Sequence, residues 1–457
     1  MNHMASTSSR TVQHQPLRVL RLVLATPGRY LRSWYFAYLL LGIVTSGMVP
    51  VLLPLMMMAV SHKLSTVAYV MGIYDVGLMT SMLWGVLAER RKWYRSLFFA
   101  SFILGVAAVA AFPFMRSMSG WMASAFVLGA GSSGAATLAS LLIVDFEPAS
   151  EWDPHIGLLQ SFNGAGQVVG LLLAGIFSKN SFAAGLWLAA IVLVPALVFA
   201  RLGLPAASRT HLDRDGKQHV HHLLDLRALA AFPHVNFTSD IAFHFHALNV
   251  SGLRRLPAAL GTPFGRFLLS WFLLALGVAA FFTYFPLMLA DSYGLNSHIS
   301  SLIYAAVAAV GIALFVLASR WSARLGSGRV YQFGLWTRLV GFILLLLPLV
   351  LPLGHRVAFA ATGFTLIVIA WPVLSVAGTD LAARLAPFSE GAAMGLFNSA
   401  LSSATVIGAL ASGSQVAAFG YRSVAVAGLI GIALAIVLGW RLTPNAPAPQ
   451  AESSRSA

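Results

Sequence analysis

Cysteine is absent from this sequence and charge is scarce: of 457 residues only 14 are Asp or Glu, 29 are Lys or Arg, and charged residues total 9%. Without thiols there is no disulfide framework and no Cys-ligated metal. Missing too are an HExxH helix, a Gly-x-Ser-x-Gly elbow and a phosphate-cradling P-loop, so the chain carries no constellation for hydrolytic or ATP-driven chemistry and implies no cofactor. The shortage of charge accompanies 58% hydrophobic residues and a mean hydropathy of +0.80, more apolar surface than a soluble core can bury. That balance marks an integral membrane protein.

Apolar runs of about 18 residues or more recur along the chain, each long enough as a helix to cross roughly 30 Å of hydrocarbon. They fall near 34–60, 66–88, 96–115, 120–144, 156–178, 183–202, 266–290, 299–319, 330–352, 356–379, 391–415 and 422–441, which predicts an all-α polytopic protein of twelve transmembrane helices. The alternating strands of an outer-membrane barrel are absent, so backbone groups must be satisfied within helices.

Basic residues sort by side. One side collects Arg10, Arg18, Arg21, Arg29 and Arg32, then Arg90, Arg91, Lys92 and Arg95, the run from Arg201 to Arg266, Arg320, Arg324 and Arg329, Arg384, Arg441 and Arg455. The other side holds only Lys63, Arg116, Lys179, Arg356 and Arg422. The positive-inside rule then places both termini and the 203–265 interval in the cytoplasm of a cell with the protein in its inner membrane. The net charge of +15 and a pI near 10.7 are therefore topological; scattered over short loops, they form no nucleic-acid patch. Residues 1–33 are basic and polar and read as a cytoplasmic arm in place of a signal peptide. The tail 443–457, rich in Pro, Ala and Ser, has the composition of a disordered segment.

The polar interval 203–265 divides the spans six and six, into 34–202 and 266–442, as a duplication would. IGLLQSFNGAG from Ile156 in the fifth span is echoed by MGLFNSALSSA from Met394 in the eleventh, pairing Gly157 with Gly395, Gln160 with Asn398 and Ser161 with Ser399. After the second span the chain reads WGVLAERRKWYRS from Trp84, and after the eighth SRWSARLGSGR from Ser319.

Here the chain resembles the major facilitator superfamily, whose members join two six-helix bundles and carry the motif G-x-x-x-D-R-x-G-R-R between helices two and three. Gly85 matches its first glycine, Glu89 stands at the acid and Arg90 at the arginine, whereas Lys92, Trp93 and Tyr94 depart from the remainder. In the second copy Ala323 replaces the acid while Arg324 and Gly326 remain. The resemblance implies two pseudo-symmetric bundles and gating by Gly85, Glu89, Arg90, Arg324 and Gly326: a glycine for close helix approach, an acid for a cation or helix end, and an arginine for a carboxylate. A plain basic anchor at a cytoplasmic turn accounts for the same charges through topology. Marks of the drug-exporting branches are incomplete: Ala125 stands four residues before Gly129 where they have arginine, and FNGAGQVVGLLLAG lacks their proline.

Inside the spans, Gln160, Asn163 and Gln167 fall at spacings of three and four on one helical face. An amide facing lipid is costly, so this face turns to a cavity or a neighbouring helix. As a cavity wall it would be matched by Asn398, Ser399, Ser402 and Ser403 of the eleventh span; as a packing face it would hydrogen-bond between helices. Asp75 lies deep in the second span with no adjacent cation. Intramembrane acids commonly carry protons, which makes it the candidate for proton coupling, with a structural hydrogen bond as the other reading. Arg338 in the ninth span either snorkels or pairs with another helix. Asp145, Glu147, Glu151, Asp153, Asp380 and Glu390 sit at span ends, where solvated or gate-pairing roles are expected. Trp34, Tyr35, Tyr69, Tyr74, Phe281, Phe282, Tyr284, Phe285 and Trp371 either pack, anchor at the interface or line an apolar cavity.

His211, His219, His221, His222, His234, His244 and His246 stud the linker, spaced for a divalent ion or merely incidental to a solvated segment; no metal site is assigned there. Leu223, Leu226 and Leu229 would let part of it lie on the membrane surface. Without a catalytic constellation an enzyme is not indicated. The reading is a secondary active transporter of a small organic solute, export favoured over import, monomeric in the bilayer and coupled to protons through Asp75. A metal-linked transporter or a non-transporting sensor of the same fold is the alternative. Reporter fusions placed after Gln218 and after Ala448 should both read cytoplasmic, and one reading from the opposite side would break the twelve-span topology.

Overall fold

The computed structural model describes residues 31–91, 93–147, 152–179, 181–203, 261–352, 354–387, 390–440 and 442. Most of the N-terminal arm, most of the linker with its histidines, Glu151 and the tail lie outside them. So do the side chains of Glu89, Arg90, Asp145, Asp153 and Glu390.

All regular structure among the described residues is helical, in twelve segments. They are α1 (Tyr35–Ser61), α2 (Leu64–Leu78 continuing as Ser81–Arg91), α3 (Tyr94–Phe114), α4 (Met118–Phe146), α5 (Trp152–Phe177) and α6 (Phe182–Leu202), followed by α7 (Pro263–Tyr293), α8 (Ser297–Leu325), α9 (Ser327–Val350), α10 (Arg356–Leu385), α11 (Glu390–Phe419) and α12 (Arg422–Leu438). Eleven contain a stretch long and apolar enough to cross a membrane, and α12 is a shorter apolar helix. The predicted spans all recur, with ends adjusted by capping. α7 starts earlier than hydropathy suggests because Thr262 Oγ1 accepts the Gly265 N–H and Pro263 occupies the first turn, where its missing N–H costs nothing. It runs on to Gly294, whose φ of 73° ends it in the left-handed region. Asn296 then caps α8 by accepting the Ile299 N–H.

Helix pairing repeats between the halves. α1 packs on α5 and α6, α2 on α4, and α3 on α4 and α6; six helices later α7 packs on α11 and α12, α8 on α10, and α9 on α10 and α12. Across the halves α2 meets α11 and α5 meets α8, two pairings that exchange under the same six-helix offset. The chain is thus two pseudo-symmetric six-helix bundles.

Within the N-terminal bundle the tightest join is α1 against α5. A Cβ built on Gly170 would lie 2.0 Å from the Ile43 carbonyl oxygen and one on Gly166 2.1 Å from that of Leu39, while Gly42 and Gly47 face Asn163 and Gly170 from the other side. Only glycine permits such contact between backbones, which in hydrocarbon replaces the hydrophobic effect as a source of packing energy. Along this join Ile43–Met48 of α1 widens into a π-helical turn, and Pro50, unable to donate to the Ser46 carbonyl, lies in the first turn beyond it.

The described cross-bundle contacts lie at mid-height or toward the arginine-poor end. There Tyr284 Oη donates to the Leu64 carbonyl (2.7 Å), His298 Nδ1 donates to that of Gly175 (2.9 Å), Gly72 abuts Leu410 and Gly413 abuts Ala68. At mid-height Gly164 of α5 faces Ile312 of α8. Toward the arginine-rich end, Ser81–Arg91 of α2 packs on α3 and α4 of its own bundle, and no described residue stands within 4 Å of the Cβ direction of Gly157. Among the described residues, therefore, the bundles meet from mid-height to the arginine-poor end.

Gly170→Ala or Gly166→Ala should cost about 1–3 kcal/mol through overpacking against the α1 backbone. Gly157→Ala should be neutral. Melting of the purified protein in one detergent checks the ranking, and equal melting temperatures for all three would refute backbone contact as the source of this join.

Candidate functional site

Asp75 follows Ala68 and Gly72 at spacings of four and three, so it continues the α2 face that packs on α11. It sits one turn beyond the last close contact, half-buried, and its carboxylate makes no hydrogen bond or ion pair among the described residues. Directly after it α2 breaks: Met79 and Thr80 form a turn before the helix resumes at Ser81, and the Met79 N–H reaches back to the Asp75 carbonyl oxygen (3.2 Å). Tyr74 and Gly77 point the other way, into α4, where Gly77 meets the Phe126 carbonyl and Gly129 that of Tyr74.

The three amides of α5 have separate neighbours. Gln160 Nε2 donates to the Tyr38 hydroxyl and Ser46 Oγ to Asn163 Oδ1, both at 3.5 Å, so these two face α1 beside its π-helical turn. Gln167 lies beside the Tyr304 hydroxyl of α8, across the bundle boundary. On α11 Asn398 is buried with Nδ2 unpartnered among the described residues, and Ser399 and Ser402 are half-buried. α11 packs chiefly on α2 and α7, and α5 on α1 and α8, so the amide face and the serine face belong to different helix pairings.

Among the described residues an added Cβ at Gly85 would meet only Thr137, at 3.8 Å, so α2 and α4 do not approach closely there. Gly77 and Gly129 make the α2–α4 approach instead. Arg324 is exposed in the last turn of α8, and Gly326 holds φ at 86°, a conformation that favours glycine, as the single residue between α8 and α9. Ser327 Oγ then donates to Asp380 of α10, whose other oxygen accepts from Arg384 Nε (2.8 Å).

A partly buried network at the arginine-rich end of the N-terminal bundle was not foreseen. Arg32 places Nε and Nη2 each 2.7 Å from Glu147 Oε1, and Glu147 Oε2 lies 3.5 Å from Nε2 of the fully buried His155. On the other side of the ring Nδ1 shares a hydrogen bond with the Tyr35 hydroxyl (2.7 Å). One acid thereby ties the start of α1 to the end of α4 and the start of α5. The sequence offers no signal for it, since the partners come from three helices; only the acid at the end of α4, and Asp380 at the same place in α10, hinted at a role.

Aromatic residues mostly serve packing. Trp34, Tyr35, Phe281, Tyr284 and Phe285 are buried, and Phe281, Phe285 and Phe364 form the centre of the C-terminal bundle with Tyr304 against them. A second row runs from Phe397 through Trp271, stacked at 4.5 Å, to Trp371 at 6.0 Å. Trp371 stays half-exposed and carries the guanidinium of Arg338 over its ring.

The sequence profile described as Major Facilitator Superfamily matches residues 34–388. No curated protein matches the sequence. Among solved structures the fold is similar to that of the nucleoside transporter NupG (TM-score 0.65, 12% identity, covering 90% of this chain and 97% of that one) and of a D-xylose–proton symporter (0.64, 17%, 94% and 98%). It is also similar to a bacterial homologue of the iron transporter ferroportin in an inward-facing state (0.61, 16%, 94% and 99%).

Glu147→Ala should lower stability by about 1–3 kcal/mol, because it strips the acid from a buried histidine and an arginine at once. Asp380→Ala, which releases the exposed Arg384 and one hydrogen bond from the Ser327 hydroxyl, should cost less, about 1 kcal/mol. Thermal unfolding of both variants side by side tests this order, which a reversed ranking would overturn.

Proposed function

The chain belongs to the major facilitator superfamily, and on that basis we propose that it is a secondary active transporter of a small organic solute, working in the inner membrane by alternating access between its two bundles. The observation that carries the reading is the one-ended closure of the cleft: α2 with α11 and α5 with α8 meet from mid-height to the arginine-poor end. With the arginine-rich end cytoplasmic, as the distribution of Lys and Arg argues, this state is open inward. Similarity to the ferroportin homologue in its inward-facing state supports that assignment. Transport then requires the contacts of Tyr284 and His298 to part while the arginine-rich ends approach, where Gly85, Glu89, Arg90, Arg324 and Gly326 are the gating residues we assign. Gln160, Asn163 and Gln167 on one wall and Asn398, Ser399 and Ser402 on the other flank the solute path in this reading.

Proton coupling through Asp75 is supported by its position on the face shared by the two bundles, one turn past their last contact and without a cation partner among the described residues. Rocking of α11 against α2 changes the solvation of that carboxylate, and solvation decides whether it holds a proton. Asp75→Asn keeps the shape and removes the titration. With a solute first identified by a thermal-shift screen, reconstituted Asp75→Asn should lose accumulation driven by a pH gradient and retain solute exchange. Accumulation at the wild-type level would remove Asp75 as proton carrier, and the same vesicles report whether net flux runs outward, the direction we favour.

A further inference from the structure

The C-terminal bundle buries a cation that its fold does not require. Arg338 sits at the middle of α9, about 17 Å from either helix end by the helical rise, too deep for its charge to reach an interface. It is only 1% exposed. Nε and Nη2 both donate to the Ile367 carbonyl of α10, at 3.2 and 3.1 Å, and the guanidinium lies 5.7 Å from the centre of the Trp371 ring. Tyr304 and Tyr331 are its ionisable neighbours, and no carboxylate among the described residues comes within ion-pair distance. A guanidinium has five N–H donors in a planar fork. One neutral carbonyl occupies two of them. Joining α9 to α10 would need only a neutral amide, without the cost of a desolvated charge.

The position of that charge indicates a purpose. α9 is peripheral, packing on α8, α10 and α12, yet Arg338 points inward between α8 and α10. Tyr304, on the α8 side, adjoins Gln167 of the opposite bundle, so the guanidinium is one side chain from the bundle boundary. On the α10 side Trp371 is half-exposed and continues the row of Trp271 and Phe397, giving flat apolar surface next to the charge. Pro372 follows Trp371 and cannot donate to the Val368 carbonyl, so the hydrogen-bond ladder of α10 is already interrupted beside Ile367. The helix can release the Arg338 contact there without unravelling an intact turn.

We propose that Arg338 is a substrate-recognition residue that binds the carboxylate of a small aromatic organic acid, which displaces the Ile367 carbonyl from the guanidinium fork and lays its ring on the Trp371 wall. The proposal rests on the transporter reading and narrows it to organic anions. The planar fork matches a carboxylate through two parallel hydrogen bonds, which a lysine in its place does not reproduce.

The probes are benzoate and its neutral amide, benzamide, applied to the detergent-purified full chain. Benzoate should raise the melting temperature saturably and benzamide should not. Arg338→Lys should weaken the benzoate response at least tenfold, and Arg338→Gln should abolish it. Should Arg338→Gln fail to fold, the wild-type contrast between acid and amide and the Arg338→Lys variant decide the matter. No saturable response to benzoate, an equal response to benzamide, or a benzoate response surviving Arg338→Gln overturns the proposal. Counterflow of labelled benzoate in reconstituted vesicles separates the two levels: saturable binding without counterflow refutes transport and leaves the anion site standing, whereas counterflow of both probes alike refutes the anion site and leaves transport standing.

Discussion

Backbone-to-backbone contact between helices is the constraint on which the architecture rests. In a hydrocarbon surround, burying a leucine against another helix gains little over leaving it in lipid, so packing energy must come from close approach. At α1 and α5 that approach is carried by Gly42, Gly47, Gly166 and Gly170; at α2 and α4 by Gly77 and Gly129; at α7 and α12 by Gly277 and Gly431. The π-helical turn of α1 lies within this join, with Leu39 and Gly42 held just before it and Ile43 and Gly47 inside it. Once α1 is fixed on α5, the neighbouring polar pairs Gln160–Tyr38 and Asn163–Ser46 fall into register.

The number, order and approximate ends of the helices could be read from the sequence because lipid imposes one rule on every span: about twenty apolar residues in a helix. The echo of IGLLQSFNGAG in MGLFNSALSSA pointed to the pseudo-symmetry that the helix pairings show. Helix ends were less legible, since Thr262 and Asn296 set them by capping and not by hydropathy. The site was legible only as residue types. Asp75 and the α5 amides stood out for their polarity, but which helix each one faces depends on the crossing of neighbouring helices, which leaves no periodic trace in the chain. The close contact of α2 with α4 is likewise made by Gly77, eight residues before the motif glycine Gly85, and no repeat in the sequence singles it out. The Arg32–Glu147–His155–Tyr35 network escaped notice because it joins residues far apart in sequence, each unexceptional alone.

Charge within the described structure is handled in three ways, and the contrast is instructive. At the arginine-rich end acids and bases neutralise one another inside a bundle, as with Glu147 and Asp380. At mid-height Asp75 stays half-buried on the face that α2 shares with the other bundle. Arg338 is fully buried against a ring and a carbonyl. The first arrangement stiffens a bundle and leaves it able to move as a body. The other two keep a charge near the boundary in a state of incomplete compensation, which is where a solute or a proton has most to contribute.

Several of the hydrogen bonds between helices share one further property: their acceptors are main-chain carbonyls, of Leu64 for Tyr284, of Gly175 for His298 and of Ile367 for Arg338. A carbonyl is supplied by whatever amino acid occupies the position. Sequence drift at Leu64 or Ile367 can therefore change the side chain and leave the acceptor in place, whereas drift at Tyr284, His298 or Arg338 deletes the bond outright. Each of these contacts is heritable through one codon instead of two. Its strength can be retuned by a single substitution, with no compensating partner to wait for, so these junctions can diverge between descendants of this chain faster than a salt bridge, whose two ends must change together.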